Sequence, residues 1–340
     1  MFFLIVDPNE YKYIMDIKYL TGFYFDELVA FNNQSYPKKT NSTKLLKFWF
    51  DKSKDEIENS IILVNNGRIF GQLLTSRNMF FYKGKSTSCK WFFNYIVDEK
   101  YRKSGYGIDL LIKATSNDNL LFGAGSAPLA LKIELKMGFI LIGELKKFIA
   151  ISFFPSIISS FFRNNISENT FPERISKNGV TFNKVDVSYF FNHSVPFNEN
   201  LLEFGRDNNY LKWRFFSGLH DYVVYKSANN NNYFAVRTII RKSITCLVLV
   251  DYRCNLANDD EFEEILHTVK SISKKLKIGV IITASSLKCV DNILEKRKFK
   301  SIGRHRPLIA YRSFKDEDKR INNRELVLVT LADSDGEVSW

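Results

Sequence analysis

A basic turn with two glycines, Arg102-Lys103-Ser104-Gly105-Tyr106-Gly107, is the stretch of this sequence that predicts chemistry most clearly. Glycine lets the backbone come close to an anion, and the first N–H groups of a helix attract negative charge. Arg102 and Lys103 add positive charge to the same turn. The pattern is typical of a phosphate site, and it predicts that the backbone N–H groups of residues 104–107 bind phosphate oxygens.

The elements around this turn follow an order that would hold it in place. Residues 91–97 are rich in aromatic and β-branched side chains and predict a buried strand, whereas the apolar spacing of residues 108–114 predicts a helix. A second strand is predicted at 120–124, followed by a helix from Pro128 to Lys136. That helix ends in Met137-Gly138-Phe139, and a further strand follows.

The order of strand, Arg-x-x-Gly-x-Gly turn, helix, strand, helix and Gly-Phe pair resembles the GNAT superfamily of acyl-CoA transferases over residues 60–150. The resemblance implies that coenzyme A pyrophosphate binds the backbone amides of Ser104, Gly105, Tyr106 and Gly107, with Arg102 and Lys103 beside it. It also implies that the pantetheine arm pairs with the strand at Ile96 and Val97, where the two central strands splay. A backbone N–H of the first of these strands would stabilise the oxyanion that forms during acyl transfer.

The catalytic side chains are harder to assign. Many GNAT enzymes carry a tyrosine five residues before the Phe of the Gly-Phe pair, where it protonates the departing thiolate, and here that position is Glu134. A carboxylate donates a proton poorly at neutral pH unless burial raises its pKa, so Glu134 is either a catalytic acid or an ordinary solvated helix residue. Asn94 and Ser126 are the other catalytic candidates, and the reaction also allows a site without a side-chain base.

The second half of the chain reads as a degenerate repeat of the first. Residues 298–299 with Gly303 echo residues 137–139 with Gly143, but no glycine turn follows the predicted strand that ends at Asp251. We therefore expect an α/β (α+β) fold of two tandem GNAT-like domains, each a mixed central sheet flanked by helices, with the active site in the cleft between them. The expected boundaries are a coenzyme A domain at 1–155, a linker at 156–184 and an acceptor-binding domain at 185–340.

Acceptor-binding candidates are aromatic, basic or hydroxyl side chains of the second half. Residues 210–216 resemble a Y-L-x-W-R-[FY] segment found in C-terminal halves of two-domain GNAT proteins, and arginine is suited to bidentate phosphate binding. The candidates are Trp213, Arg214, Tyr225, Arg237, Arg241, Ser285, His305 and Arg306.

Composition limits the classes of function. The 340 residues are enough for two domains, and a net charge of +12 favours an acidic partner without choosing one. No recognition motif for nucleic acid is evident, and four scattered cysteines predict no metal site. No apolar run approaches the roughly 18 residues of a membrane span, so we expect a cytoplasmic protein without membrane insertion. The oligomeric state is not predictable.

Over nearly its whole length the chain resembles the bacterial nucleotide-sugar N-acyltransferases that modify aminodideoxy sugars for surface polysaccharides such as O-antigen. The resemblance implies acyl-CoA as donor, with 3-hydroxybutanoyl as one candidate acyl group, and a dTDP-linked amino sugar as acceptor, although UDP stays open. Two alternatives also stay open: a peptidoglycan-type transferase that uses aminoacyl-tRNA, and a non-catalytic acyl-CoA sensor.

Overall fold

The computed structural model describes residues 15–37, 42–50, 59–82, 85–116, 120–152, 167–177, 179–189, 197–311 and 326–333. The fold is mixed α/β, as predicted, with helices flanking a mixed β-sheet. The chain divides into two units that do not coincide with its two sequence halves. The first unit is Met1–Ser76 with Phe92–Asp118, and the second is Arg77–Trp91 with Asn119–Trp340.

The first unit contains a strand order β1-β2-β3-β4, in which β1 and β3 both run antiparallel to β2. Its core includes the four consecutive apolar residues of β2, Ile61 to Val64, all buried. The elements with residues in this unit are β1 (Asp16–Tyr19), α1 (Phe25–Ser35), α2 (Ser42–Phe50), β2 (Ile61–Asn65), β3 (Arg68–Tyr82), β4 (Lys85–Val97) and α3 (Tyr106–Thr115).

The second unit receives the end of β3 and the start of β4 and adds the remaining elements. Its strand order is β4-β5-β14-β6-β13-β12-β11-β10-β8-β7, and β9 pairs with both β15 and β3. The elements are β5 (Leu121–Ala124), α4 (Pro128–Lys136), β6 (Phe139–Ile151), β7 (Arg174–Lys177), β8 (Val180–Val185), β9 (Leu202–Phe204), α5 (Asn208–Phe216), β10 (Val223–Ser227), β11 (Tyr233–Arg241), β12 (Ile244–Arg253), α6 (Asp259–Lys275), β13 (Val280–Ser285), α7 (Lys288–Lys296), β14 (Lys300–Tyr311) and β15 (Val327–Leu328).

Strands from distant parts of the chain share the centre of this sheet. The late strand β14 lies between β5 and β6 and is antiparallel to both, while β6 is antiparallel to β13 on its other side. Because β4 is parallel to β5 and β12 is parallel to β13, the order is symmetric about the β14–β6 pair. A strand of the second sequence half, β14, therefore lies between two strands of the first half, and β6 of the first half lies between two strands of the second.

The internal repeat is visible in the element order and at the helix ends. The series β4-α3-β5-α4-β6 matches β12-α6-β13-α7-β14. After α4 the chain takes a left-handed conformation at Gly138 (φ 98°), and after α7 it does so at Lys298 (φ 63°). Each is followed at once by a buried phenylalanine, Phe139 or Phe299. The second copy has lost the glycine but kept the backbone turn, which costs a non-glycine residue roughly 1 kcal/mol.

The predicted linker is partly ordered into regular structure. Residues 168–170 form a 3-10 turn, and β7 and β8 pair as an antiparallel hairpin that extends the sheet. Buried residues of this hairpin, such as Ile175 and Phe182, are sparse in sequence, so its strands leave no clear apolar pattern. Residues 156–166 lie outside the described residues, and the predicted domain boundaries stay predictions.

A buried ionic cluster fastens residues 330–333 to β12. Arg206 donates to Asp251 Oδ2 over 2.8 Å and to Asp333 Oδ1 over 2.6 Å, and Thr330 Oγ1 donates to Asp251 Oδ1 over 2.6 Å. Arg253 Nη1 also lies 2.9 Å from Asp251 Oδ1. Because these carboxylates and guanidinium groups are almost wholly buried, removing one of them would leave an uncompensated charge in the interior of the second unit.

Candidate functional site

The predicted strand, turn and helix around the glycines are present in the first unit. Strand β4 ends at Val97, and Asp98 caps a 3-10 turn at Glu99–Tyr101 by accepting a hydrogen bond from Lys100 N over 2.9 Å. Gly105 then forms the N-cap of α3 in the left-handed region, with φ at 89°. Glycine is the residue that adopts this conformation without strain, so the sequence dictates where the helix begins.

Several backbone N–H groups lie close together at the start of α3. The N–H groups of Lys103, Gly105 and Gly107 donate to no acceptor among the described residues, whereas Ser104 N donates to Tyr101 O over 3.2 Å. A Cβ added at Gly105 would meet no atom within 4 Å, so an anion can approach the backbone there. Of the amides predicted to bind pyrophosphate, that of Ser104 already has an intramolecular acceptor.

Two side-chain contacts hold the turn against β4. Tyr95 Oη donates to Gly107 O over 2.8 Å, and Arg102 Nε donates to Val97 O over 3.1 Å. A Cβ at Gly107 would lie 2.9 Å from the Tyr95 hydroxyl oxygen, so any other residue at this position would displace that hydroxyl group. Tyr95 was missed by the sequence reasoning, because nothing in its spacing links it to a residue twelve positions later.

Asn94 marks an irregularity inside β4. Its φ is 49°, which is unusual for a strand residue other than glycine. Its side-chain amide donates a weak hydrogen bond to Asn32 Oδ1 over 3.5 Å. Asn32 and Gln72 exchange two hydrogen bonds of 2.8 and 3.1 Å beneath it. An amide does not accept a proton at neutral pH, so these contacts indicate a backbone-shaping role for Asn94 rather than that of a base. Ile96 and Val97 follow it in the strand, half-buried and buried respectively.

Glu134 lies in the second unit and is fully buried, at 0% exposure. Neither carboxylate oxygen has a hydrogen-bond partner among the described residues. Burial raises the pKa of Glu134 to about 7, and the nearby Ser126 side chain opposes this shift without making a well-formed hydrogen bond. The interpretation of Glu134 as a solvated helix residue is therefore wrong, and the burial that proton donation requires is present.

Four of the acceptor candidates take part in packing. Arg214 is fully buried and donates to Ala332 O and to the Tyr222 hydroxyl, over 3.0 and 2.7 Å. The other three are Trp213, which packs edge-to-face on Tyr210, Tyr225, which donates to Pro172 O and stacks on Phe234, and Ser285, which bonds the backbone of Leu287.

The other candidates are distributed over both faces of the sheet. Arg237 is buried with its guanidinium 5.5 Å from the centre of the Tyr222 ring. His305 Nδ1 lies 3.2 Å from Glu144 Oε2, and its Nε2 lies 3.3 Å from Ser301 Oγ. The positive charges of Arg241 and Arg306 both lower the pKa of Lys147, a residue that the sequence analysis did not single out.

The described parts of the chain lack two kinds of structural feature. No helix there is long and apolar enough to cross a membrane. No group of three or more His, Cys, Asp or Glu side chains in those parts is placed to hold a metal ion.

Comparison with known proteins identifies the fold. The sequence matches no protein-family model and no curated protein. A GCN5-related N-acetyltransferase from Anabaena variabilis matches with a TM-score of 0.60 and 10% identity, over 87% of this chain and 72% of that one. A probable N-acyltransferase from Enterococcus faecalis matches with a TM-score of 0.56 and 11% identity, over 87% and 72%.

A third structure of this kind comes from a eukaryote. Saccharomyces cerevisiae N-myristoyltransferase with bound myristoyl-CoA matches with a TM-score of 0.52 and 10% identity, over 83% of this chain and 80% of that one. Sequence identities this low support a shared fold but do not establish a shared activity. The chain therefore has the fold of the GCN5-related N-acetyltransferases, as the sequence predicted.

Proposed function

We propose that this protein is an acyl-CoA-dependent N-acyltransferase. The observation that carries the proposal is the turn before α3, where the N–H groups of Gly105 and Gly107 have no acceptor among the described residues and Arg102 is fixed beside them. Backbone donors at a helix start, with cations at hand, suit the pyrophosphate of coenzyme A. The yeast N-myristoyltransferase of the same fold is solved with myristoyl-CoA bound, which supports this donor.

The reaction moves an acyl group from sulfur to nitrogen. The lone pair of an amine attacks the thioester carbonyl, the C–N bond forms and the C–S bond breaks. The nitrogen releases a proton to the solvent, and the sulfur leaves as a thiolate that takes up a proton. Glu134 occupies the position that resembles the family's proton-donating tyrosine. With its pKa raised to about 7 by burial, Glu134 can hold a proton near neutral pH and donate it.

The acceptor in this proposal is the amino group of a dTDP-linked aminodideoxy sugar. Two observations support it: the resemblance of the whole chain to nucleotide-sugar N-acyltransferases, and the net charge of +12, which suits two substrates that both carry phosphates. The proposed acyl group is 3-hydroxybutanoyl.

Mass spectrometry tests the function directly. The purified protein is incubated with acetyl-CoA or 3-hydroxybutanoyl-CoA and a panel of dTDP- and UDP-amino sugars, and we expect free coenzyme A with an acylated sugar of matching mass. The Gly105→Trp variant serves as the control, because its side chain fills the space above the turn. Absence of product from every amine, despite acyl-CoA binding, would overturn the enzymatic function and leave a sensor.

A further inference from the structure

Lys147 and Arg306 lie on one face of the sheet in the second unit. Arg306 pairs with Leu145, two residues before Lys147 on β6, and the register shifts between this pair and the pair of Ile302 with Lys147. The two cations therefore lie on adjacent strands on either side of this irregularity. Side chains alternate between faces, and Leu145 and Leu308 both belong to one buried cluster. Lys147 and Arg306 therefore project on the side of that cluster. The neighbour Lys146 projects on the other side, where it pairs with Asp291 over 2.6 Å.

Arg241 adds a third positive charge on the same side. It ends β11 two residues after Ile239, which belongs to the same buried cluster. Its positive charge acts to lower the pKa of both the Lys147 ammonium group and the Cys246 thiol. Lys147 aligns with Ala284 on the neighbouring strand β13, so that strand presents no charge beside it.

Lys147 and Arg306 are half-buried, where like charges repel more strongly than in water, whereas Arg241 is exposed. The pKa of Lys147 is lowered to about 8, first by burial and then by Arg306 and Arg241. A bound dianion would reverse this effect, because it would favour the charged form of every member of the group. The electrostatics thus agree with the geometry of an anion site.

The cation group also lies beside the candidate proton donor. A Cβ at Gly125 would be 3.3 Å from Arg306 Cδ, and Gly125, with φ at 83°, donates its N–H to Pro307 O over 2.8 Å. Ser126 follows directly and is the side chain that acts on Glu134. An anion held by Arg306 would therefore sit next to the turn that carries Ser126.

We propose that Lys147 and Arg306 form the core of a subsite that binds the diphosphate of the acceptor, with the exposed Arg241 as a third charge, so that the acceptor is a diphosphate-linked amine. The inference rests on the proposed function for the reaction, but the binding of a diphosphate by these three side chains is testable without it. Inorganic pyrophosphate and a nucleoside diphosphate share the chemistry that the subsite recognises.

Calorimetric titration with dTDP, UDP and inorganic pyrophosphate, each at the same low ionic strength, tests the subsite. Lys147→Met and Arg306→Met should each weaken dTDP binding by roughly tenfold or more, since a charge-assisted hydrogen bond is lost. Lys147→Arg should retain most of the affinity. The matched control is Lys300→Met, which removes one exposed positive charge from the same strand as Arg306. Circular dichroism checks that every variant is folded.

Proton uptake gives a second readout that a merely structural role of Lys147 would not produce. At pH 8.5 the wild-type protein should take up a proton when dTDP binds, because the anion raises the pKa of Lys147 from about 8. The uptake is measured from the dependence of the binding heat on the ionisation heat of the buffer. Lys147→Met should abolish it, and Lys300→Met should leave it unchanged.

The outcomes separate this inference from the proposed function. Failure of wild type to bind dTDP, UDP or pyrophosphate overturns the subsite, as do equal losses in Lys147→Met and Lys300→Met. If dTDP binds through these residues but coenzyme A does not bind, the subsite stands and the acyltransferase proposal fails. Binding of pyrophosphate as tight as that of dTDP places the affinity in the phosphates, whereas a preference for dTDP over UDP adds recognition of the base.

Discussion

The hydroxyl group of Tyr95 donates a hydrogen bond to the carbonyl oxygen of Gly107 over 2.8 Å. This contact joins the strand before the glycine turn to the first turn of the helix after it. A Cβ at Gly107 would lie 2.9 Å from the same hydroxyl oxygen, so glycine at this position lets the contact form undisturbed. The proposed pyrophosphate site is thus shaped by a side chain that need not touch the ligand.

We expect Gly107→Ala to weaken coenzyme A binding by roughly tenfold, because the new methyl group displaces the Tyr95 hydroxyl and shifts the start of the helix. Tyr95→Phe removes the hydrogen bond without adding bulk and should weaken binding less. Calorimetric titration with coenzyme A measures both. Gly22→Ala is the control, since a Cβ there would meet nothing within 4 Å; an effect equal to that of Gly107→Ala would contradict this account of the turn.

Replacement of Glu134 tests the proton donor. Glu134→Gln should lower kcat with little change in KM for acyl-CoA, because the departing thiolate loses its proton source while binding is kept. In the wild type, kcat should fall as the pH rises through about 7, where Glu134 loses its proton. Stopped-time assays from pH 6 to 9 measure both. A wild-type rate in Glu134→Gln with an unchanged pH profile would exclude Glu134 as the acid.

The same variant should be more stable than wild type above neutral pH. The folded protein keeps the Glu134 proton up to about pH 7 while the unfolded chain loses it near 4.5, so the free energy of unfolding falls as pH rises between these values. The cost of the ionised, buried carboxylate reaches about 3 kcal/mol. Denaturant unfolding at pH 5 and pH 8 should show Glu134→Gln gaining stability relative to wild type only at the higher pH. An equal difference at both pH values would contradict the raised pKa.

Disruption of the buried ionic cluster should destabilise the second unit. Asp333→Asn removes the carboxylate that pairs with Arg206 Nη2 over 2.6 Å and leaves that guanidinium partly uncompensated. We expect a loss of about 3 to 5 kcal/mol in the free energy of unfolding. Urea denaturation followed by intrinsic fluorescence measures it. Glu173→Gln, at a carboxylate that pairs with Lys184 on the surface, is the control and should change stability by less than about 1 kcal/mol.

The structural features that could be predicted from the sequence are those that depend on residues close together in the chain. The glycine turn, its flanking strand and helix, and the Gly-Phe helix end were predictable because a positive φ, a helix start and a buried strand each have a signature within a few residues. The repeat could be recognised because Lys298-Phe299 preserves the same helix end as Gly138-Phe139. The fold class followed from the order of these elements.

The features that the sequence did not predict depend on contacts between residues that are distant in the chain. The placement of β14 between β5 and β6 depends on pairing across more than 150 residues, which no local pattern reports. Glu134 is a charged residue by type but is fully buried. Arg214 was a candidate for ligand binding, but its guanidinium group donates a hydrogen bond to Ala332 O. Lys147 differs from Lys146 only in the face on which the strand presents it. Alternation along β6 could have separated these two lysines, had the register been known.

Calorimetric titration of the purified protein with coenzyme A, repeated with the Gly105→Trp variant, tests the central claim most directly. We expect one bound coenzyme A per chain for wild type and loss of binding in a folded Gly105→Trp variant, because the side chain occupies the open space above the turn and strains its left-handed backbone. Absence of coenzyme A binding by wild type, or equal binding by folded Gly105→Trp, would contradict it.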